Sequence, residues 1–130
     1  MRKVSYILIA TLLVAIGVMT VYAYTTSSYT LYEVGDYEVG HPEETTKARP
    51  RVYLTNDTPN SDAQVAITLS KRIVFVYSYE TRIQRWITGT TNHTFTFSAR
   101  DEGTYRANVV FNDSNDDKAI EGEFYLTSVD

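Results

Sequence analysis

Gly103-Thr104-Tyr105-Arg106-Ala107-Asn108-Val109-Val110-Phe111 is the stretch of this chain that alternates most regularly between apolar and polar residues. Tyr105, Ala107, Val109 and Phe111 recur at every second position. Successive side chains of a β-strand point to opposite faces, so this spacing predicts a strand with one buried face. β-Branched and aromatic residues dominate the chain after residue 24, without a sustained helical repeat. The pattern predicts an all-β domain.

Shorter alternating segments occur along the rest of the chain, and Gly, Pro, Asn and Asp residues separate them. Half-buried strands of this kind pair antiparallel and pack as two sheets. We therefore predict one antiparallel β-sandwich domain over residues 25–130, either immunoglobulin-like or jelly-roll-like, with about eight strands. Residues 35–50 are predicted to be a loop, because Gly and Pro interrupt them. The candidate strands are residues 29–34, 51–55, 64–69, 73–79, 83–88, 94–98, 104–111 and 119–127.

The first 24 residues combine a basic start with an apolar run. Arg2 and Lys3 precede residues 4–24, and the first acidic side chain is Glu33. As a helix that rises about 1.5 Å per residue, the run would reach about 30 Å, the thickness of a bilayer's hydrocarbon core. Basic residues before the run and acidic residues after it predict a cytoplasmic amino terminus, a single membrane helix and a domain outside.

Two other interpretations of this run stay open. Val21-Tyr22-Ala23 has the small-x-small character of a signal-peptidase site, and cleavage after Ala23 would release a secreted domain. Basic residues followed by Ser5 and an unbroken apolar helix resemble the precursor of an archaeal type IV pilin. That resemblance implies loss of a short leader and assembly of the helix with copies of itself in a filament.

Charge and cysteine content exclude several classes of function. Without Arg2 and Lys3, ten basic residues stand against sixteen acidic ones, a formal charge of −6. Nucleic-acid binding needs a basic face that displaces counterions from phosphate, so nucleic acid is not an expected partner. The chain has no cysteine, and its stability must come from packing without disulfides.

The turn into the first quoted strand carries a family resemblance. Asp101-x-Gly103-x-Tyr105 resembles the start of strand F in immunoglobulin-like domains, where a tyrosine hydroxyl bonds back to the backbone and the glycine takes a conformation costly for other residues. Together with Phe95 and Phe97 before it, as a hairpin, and Val109 to Asn112 after it, the stretch also looks like the lumenal GOLD domain. These resemblances cover about the last forty residues, and they imply a β-sandwich that binds proteins and catalyses nothing.

The search for chemistry finds one weak metal candidate. Asp113, Asn115 and Asp117 alternate like the start of a calcium loop, although Lys118 replaces the glycine that such loops need. A solvated hairpin turn between the last two strands explains the same residues. The two histidines lack partners at zinc-ligand spacing, and we find no nucleophile elbow or phosphate loop in the sequence. We therefore expect no cofactor except a weakly bound calcium ion, and no enzymatic activity.

Asparagine sequons indicate candidate glycosylation sites, and aromatic residues indicate a candidate protein-contact surface. Asn56, Asn92 and Asn112 each begin an Asn-x-Ser/Thr sequon, so each is a candidate glycosylation site. If the isoleucine face of residues 83–88 is buried, Trp86 points outward with Arg82 and Gln84 as a candidate protein contact, since interfaces favour Trp and Arg. The predicted function is a non-enzymatic, membrane-anchored, extracytoplasmic module that binds proteins or supports the cell envelope.

Overall fold

A computed structural model describes residues 25–45 and 49–129 of the protein, and its nine strands are all antiparallel. The expected all-β class is therefore confirmed. In chain order the strands are β1 (Ser27–Leu31), β2 (Tyr37–Val39), β3 (Glu43–Thr45), β4 (Arg49–Asn56), β5 (Asp62–Ile73), β6 (Val76–Thr88), β7 (Thr91–Thr96), β8 (Gly103–Ser114) and β9 (Ile120–Val129).

The strands form two sheets. The four-stranded sheet has the order β1-β9-β4-β7, and the five-stranded sheet has the order β2-β8-β5-β6, with β3 also paired to β8. Among the described strands, only two pairs that are consecutive in the chain belong to the same sheet: β2 with β3, and β5 with β6. This strand order is that of a jelly roll, and it differs from the ABED and CFG sheets of an immunoglobulin domain.

The core lies between the sheets and consists of the alternating inward side chains. β8 shows how the pattern works: Tyr105, Ala107, Val109 and Phe111 are all buried, as their period of two predicts. β4 and β9 supply the opposite side through Val52, Leu54, Phe124 and Leu126, among others. The largest fully buried side chains are Tyr29, Tyr105, Phe95, Phe111 and Phe124.

Two predictions of strand position were wrong. The predicted loop contains β2 and β3, which pair with β8. Strands of three residues are too short to show a periodic pattern in the sequence. These two segments are strands because they pair with β8. The predicted strands 73–79 and 83–88 are parts of other elements: the chain reverses between Ile73 and Val76, and β6 then continues without a break to Thr88. The turn has no Gly, Pro or Asn, so the sequence carries no signal for it.

The expected tyrosine corner is present in part. The Tyr105 hydroxyl donates to the Asp101 carbonyl oxygen at 2.7 Å, as the resemblance implied. Gly103 does not have the positive φ that was expected, since positive φ among the described glycines occurs at Gly35 and Gly89. The expected hairpin before it is also absent, because β7 and β8 belong to different sheets.

The predicted membrane helix and the cleavage site at Ala23 lie outside the described residues. Within residues 25–45 and 49–129 we find no helix with the length and apolarity needed to span a bilayer.

Candidate contact surface

Trp86 lies on the outer face of the five-stranded sheet. Its neighbour Ile87 is fully buried and Ile83 packs against the core, so the isoleucine face of β6 points inward. Trp86 is 44% exposed and pairs with Gln64 of β5. The condition set by the sequence is therefore met: Arg82, Gln84 and Trp86 share one outward face.

A β-bulge adds two tyrosines to this face. The register between β5 and β6 shifts at Leu69/Ser70, so Thr81 lies opposite Leu69, Tyr79 lies opposite Ser70, and Glu80 is the extra residue. An extra residue exchanges the two faces of a strand. Tyr77 and Tyr79 therefore join the even-numbered residues Arg82, Gln84 and Trp86, although their odd positions in an unbroken strand would place them on the opposite face.

Arginine side chains and amides complete the surface. The Arg106 guanidinium lies 4.0 Å from the centroid of the Tyr77 ring. Asn112 donates through its side-chain nitrogen to the side-chain oxygens of Gln64 and Gln84, and it accepts from Arg82 at 3.1 Å. These amides form a ladder across β8, β5 and β6 that holds Gln84 beside Trp86. We call this surface the aromatic face, and its members are Gln64, Tyr77, Tyr79, Arg82, Gln84, Trp86, Arg106 and Asn112.

Sequence reasoning found only part of the aromatic face. Trp86, Arg82 and Gln84 were identified from alternation within one segment. Tyr77 and Tyr79 were missed because their side depends on the bulge, and Arg106 was missed because its position beside Tyr77 depends on β8 pairing with β5. The abundance of tyrosine in the chain, eleven residues, was the available signal.

The outer face of the four-stranded sheet carries a second aromatic feature. The Tyr53 and Tyr125 rings stack with centroids 5.1 Å apart and an interplanar angle of 27°. They line a shallow cleft of about 260 Å³ together with Thr55, Asn92 and other residues. Arg51 donates to the Tyr53 hydroxyl at 3.1 Å and so restrains that ring.

The three sequon asparagines lie in different environments and differ in exposure. Asn56 is fully buried, and its side-chain nitrogen donates to Ser61 Oγ and to the Gly89 carbonyl oxygen, each at 2.7 Å. A glycan on Asn56 does not fit this fold, so that candidate is corrected. Asn112 belongs to the amide ladder. Asn92 is exposed at the cleft and is the sequon most accessible to a transferase.

Two of the predicted calcium ligands make hydrogen bonds within the protein, and Asp113 accepts one from the Ser114 backbone nitrogen at 2.8 Å. Asn115 turns its side-chain nitrogen to Asp62 at 2.8 Å, and the described residues contain no group of three or more acidic or histidine side chains able to hold a metal ion. Asp116 instead accepts backbone hydrogen bonds from Lys118 and Asp62, which lower the pKa of its carboxyl group. The expected hairpin turn is also wrong, since residues 115–119 connect strands of different sheets.

Another cavity, of about 490 Å³, lies at the end of the sandwich where β8 begins. Three of its charged side chains engage one another or an aromatic ring: Arg100 pairs with Glu80 at 3.4 Å, and the Lys71 ammonium lies 5.9 Å from the centroid of the Tyr105 ring. His93 lies apart, near Phe95, where burial and then Arg85 lower the pKa of its imidazole. These residues do not form a nucleophile, base and orienting group in contact.

Comparison with known proteins finds solved structures with a similar fold. No family model and no curated protein sequence matches the chain. A carbohydrate-binding module, CBM6cm-2 from Cellvibrio mixtus lichenase 5A in complex with cellotriose, is 10% identical with a TM-score of 0.49, and the match covers 82% of this chain and 88% of the module. PirA is 11% identical with a TM-score of 0.46, and the match covers 82% and 95%. Likeness at this level does not indicate a ligand, and the sandwich assignment rests on the strand order.

Proposed function

We propose that this chain is a non-enzymatic binding module that contacts another protein through its aromatic face. An N-terminal membrane helix would hold the domain outside the cytoplasm, as the basic start and the apolar run of residues 4–24 predict. The membrane itself is thus one partner, through the helix, and the protein bound by the aromatic face is the other.

One observation carries the proposal: Trp86, Tyr79 and Tyr77 share a solvent-facing surface with Arg82 and Arg106. Tryptophan, tyrosine and arginine are the residues that contribute most often to binding energy at interfaces. The domain does not need these side chains in its core, which other aromatic residues fill. The ladder through Asn112 restrains Gln84 and Arg82 beforehand, which reduces the entropy lost on binding.

The charge of the aromatic face indicates the chemistry of the partner. The face carries arginines, whereas the part of the chain after residue 24 has a formal charge of −6. A partner with an acidic patch would be attracted to this face and repelled by the rest of the domain. We therefore propose an extracytoplasmic protein with an acidic contact surface.

Two alternatives differ in what becomes of the N-terminal run. A pilin-like subunit would lose a leader before Ser5 and polymerise through its helix, and its partner would be a copy of itself. Cleavage after Ala23 would leave a secreted sandwich with the same aromatic face. The amino-terminal residue of the native protein distinguishes the three forms.

Photocrosslinking tests which face binds. A photoreactive phenylalanine analogue replaces Tyr79 in the aromatic face or, as the matched control, the exposed Tyr32 at the opposite end of the domain. Both variants are expressed in the source cells. We expect position 79 to crosslink a defined protein and position 32 not to do so. Equal crosslinking from both positions would contradict the proposed face.

Purified partner then allows an affinity measurement. Trp86 is the single tryptophan of the chain, so its fluorescence reports directly on this surface. We expect a blue shift on binding and a loss of affinity of about 30-fold or more in Trp86→Ala, the size typical of a central interface tryptophan. Unchanged affinity in a folded Trp86→Ala variant would remove Trp86 from the contact.

A further inference from the structure

The hairpin between β5 and β6 ends in an exposed apolar tip. Its four residues, Ile73, Val74, Phe75 and Val76, are between 52% and 87% exposed, and Phe75 is the most exposed. These are the residue types that other strands bury. Four consecutive apolar side chains in water are costly, so the tip is expected to have an apolar surrounding in the working protein.

The backbone of the tip also opposes local preference. Ile73 pairs with Val76, so Val74 and Phe75 are the central residues of a two-residue hairpin. Val74 has a φ of 58°, a region that β-branched residues rarely occupy and that hairpins normally fill with Gly or Asn. A residue that is both strained and exposed does not serve stability, which indicates a role for its apolar side chain.

The flanks of the tip suit a lipid interface. Residues 63–79 contain no acidic residue, and Lys71 and Arg72 come directly before the tip. Apolar residues preceded by two basic side chains match the order of layers from acyl chains to headgroups.

The start of β1 and the hairpin tip lie toward the same end of the domain. β9 runs toward the end of the sandwich where β4 and β8 begin, which is also the end where the hairpin turns. β1 is antiparallel to β9, with Ser27 opposite Phe124 and Leu31 opposite Ile120. The chain therefore enters β1 from the end of the domain where the hairpin turns. Residues 4–24, the apolar run, precede that point in the sequence.

We propose that the tip, residues 73–76, inserts into the boundary between headgroups and acyl chains of the bilayer. This inference rests on the membrane placement in the proposed function. The hairpin would act as a second contact that fixes the tilt of the domain above the membrane. Val76 lies opposite Ile73 and Trp86 lies opposite Gln64, and this nine-residue step on β5 measures about 30 Å, so Trp86 would stand clear of the lipid and be available to a partner.

Site-directed spin labelling tests the proposal on the full chain. The protein has no native cysteine, so Phe75→Cys gives a single labelling position without removing a buried side chain. Glu102→Cys, an exposed position in a neighbouring loop at the same end of the domain, is the matched control, and Thr90→Cys marks the opposite end. Each labelled chain is reconstituted into phosphatidylcholine vesicles, isolated by flotation, and probed with oxygen and a water-soluble nickel chelate.

We expect the nitroxide at 75 to be several-fold less accessible to nickel than the nitroxide at 102, and more accessible to oxygen. A nitroxide at 75 that is as nickel-accessible as the one at 102, in vesicles that float with the protein, overturns the insertion alone. Dipolar broadening between labels at 75 would show contact between copies and would also overturn it. A chain that does not float with the vesicles contradicts both this inference and the membrane placement on which it rests.

Discussion

Gly122 lies in β9, whose neighbours in the four-stranded sheet are β1 and β4. Its position on the inward side of an alternating strand favours either a bulge or space for a large neighbouring side chain. The register between β1 and β9 is regular, with Tyr29 opposite Gly122, so this pairing has no bulge there, whereas the pairing between β4 and β9 ends at Leu54 opposite Phe124. A Cβ on Gly122 would lie 1.9 Å from the carbonyl oxygen of Thr55 and 3.0 Å from the Tyr29 hydroxyl oxygen. Gly122 therefore has no space for a side chain, mainly because of the Thr55 backbone and also because of the Tyr29 hydroxyl group.

Gly122→Ala should lower the free energy of unfolding by about 3 kcal/mol, because the backbone at Thr55 must move to admit the methyl group. Gly103→Ala is the matched control, since the short contact of its Cβ would be with the end of the flexible Lys71 side chain, and Tyr105 Cε2 would lie at an ordinary van der Waals distance of 3.6 Å. We expect the control to change stability by less than about 1 kcal/mol. Urea denaturation of both variants measures the difference, and equal losses would contradict this account.

The buried Tyr29 gives stability a dependence on alkaline pH. Its hydroxyl donates to the Thr55 carbonyl oxygen at 2.7 Å, and burial, with smaller contributions from Asp57 and Glu121, raises the pKa of its phenol well above 10. The unfolded chain loses this proton near pH 10 while the folded chain keeps it. Stability from this group is complete below about pH 10 and declines as the pH rises above it.

Thermal melts between pH 8 and pH 11 test this dependence. Tyr29→Phe should cost about 1 kcal/mol at neutral pH through the lost hydrogen bond, and its melting temperature should fall less steeply above pH 10. Tyr32→Phe, at an exposed tyrosine, should follow the wild-type profile. Parallel profiles for Tyr29→Phe and wild type would show that Tyr29 does not carry the effect.

Among the elements, the β5–β6 hairpin departs furthest from local sequence preference. Its bulge at Glu80 places Tyr77 and Tyr79 on the same face as Trp86, and its turn places Val74 at positive φ. Neither feature has a signal in the sequence. The hairpin is therefore the part of the candidate surface that sequence reasoning could not assemble.

Val74→Gly should stabilise the domain by about 1 kcal/mol, because glycine occupies the left-handed region without a steric penalty. Phe75→Gly is the control, since its φ is not positive and glycine there only increases the entropy of the unfolded chain. Chemical denaturation compares the two variants. A loss of stability in Val74→Gly would mean that the valine makes a compensating contact in the isolated protein.

For the whole molecule, the N-terminal run decides where the domain works. We expect the native protein to fractionate with membranes, with a chain that begins at Met1, because residues 4–24 are long enough to span a bilayer. Intact mass, amino-terminal sequencing and fractionation of cells measure this together. A chain that begins at Ser5 in filaments would favour the pilin-like subunit, and one that begins at Tyr24 in the medium would establish the secreted form.

Local pattern determined the class of fold. Alternation with a period of two identifies which side chains of a strand share a face, and it correctly assigned Tyr105, Val109 and Phe111 to the core. The same local rule identified Trp86 as an outward residue once Ile87 is buried. These properties depend on neighbours two residues away, so the sequence alone contained them.

Long-range pairing decided the rest. The jelly-roll order, the three-residue strands on β8 and the burial of Asn56 beside Gly89 depend on residues that are distant in the sequence. A single inserted residue, Glu80, reverses the faces of β6 and so decides which aromatic side chains reach the surface together. Only the tertiary structure could decide these points, because register and sheet order are set by partners across the sheet and not by the pattern within a strand.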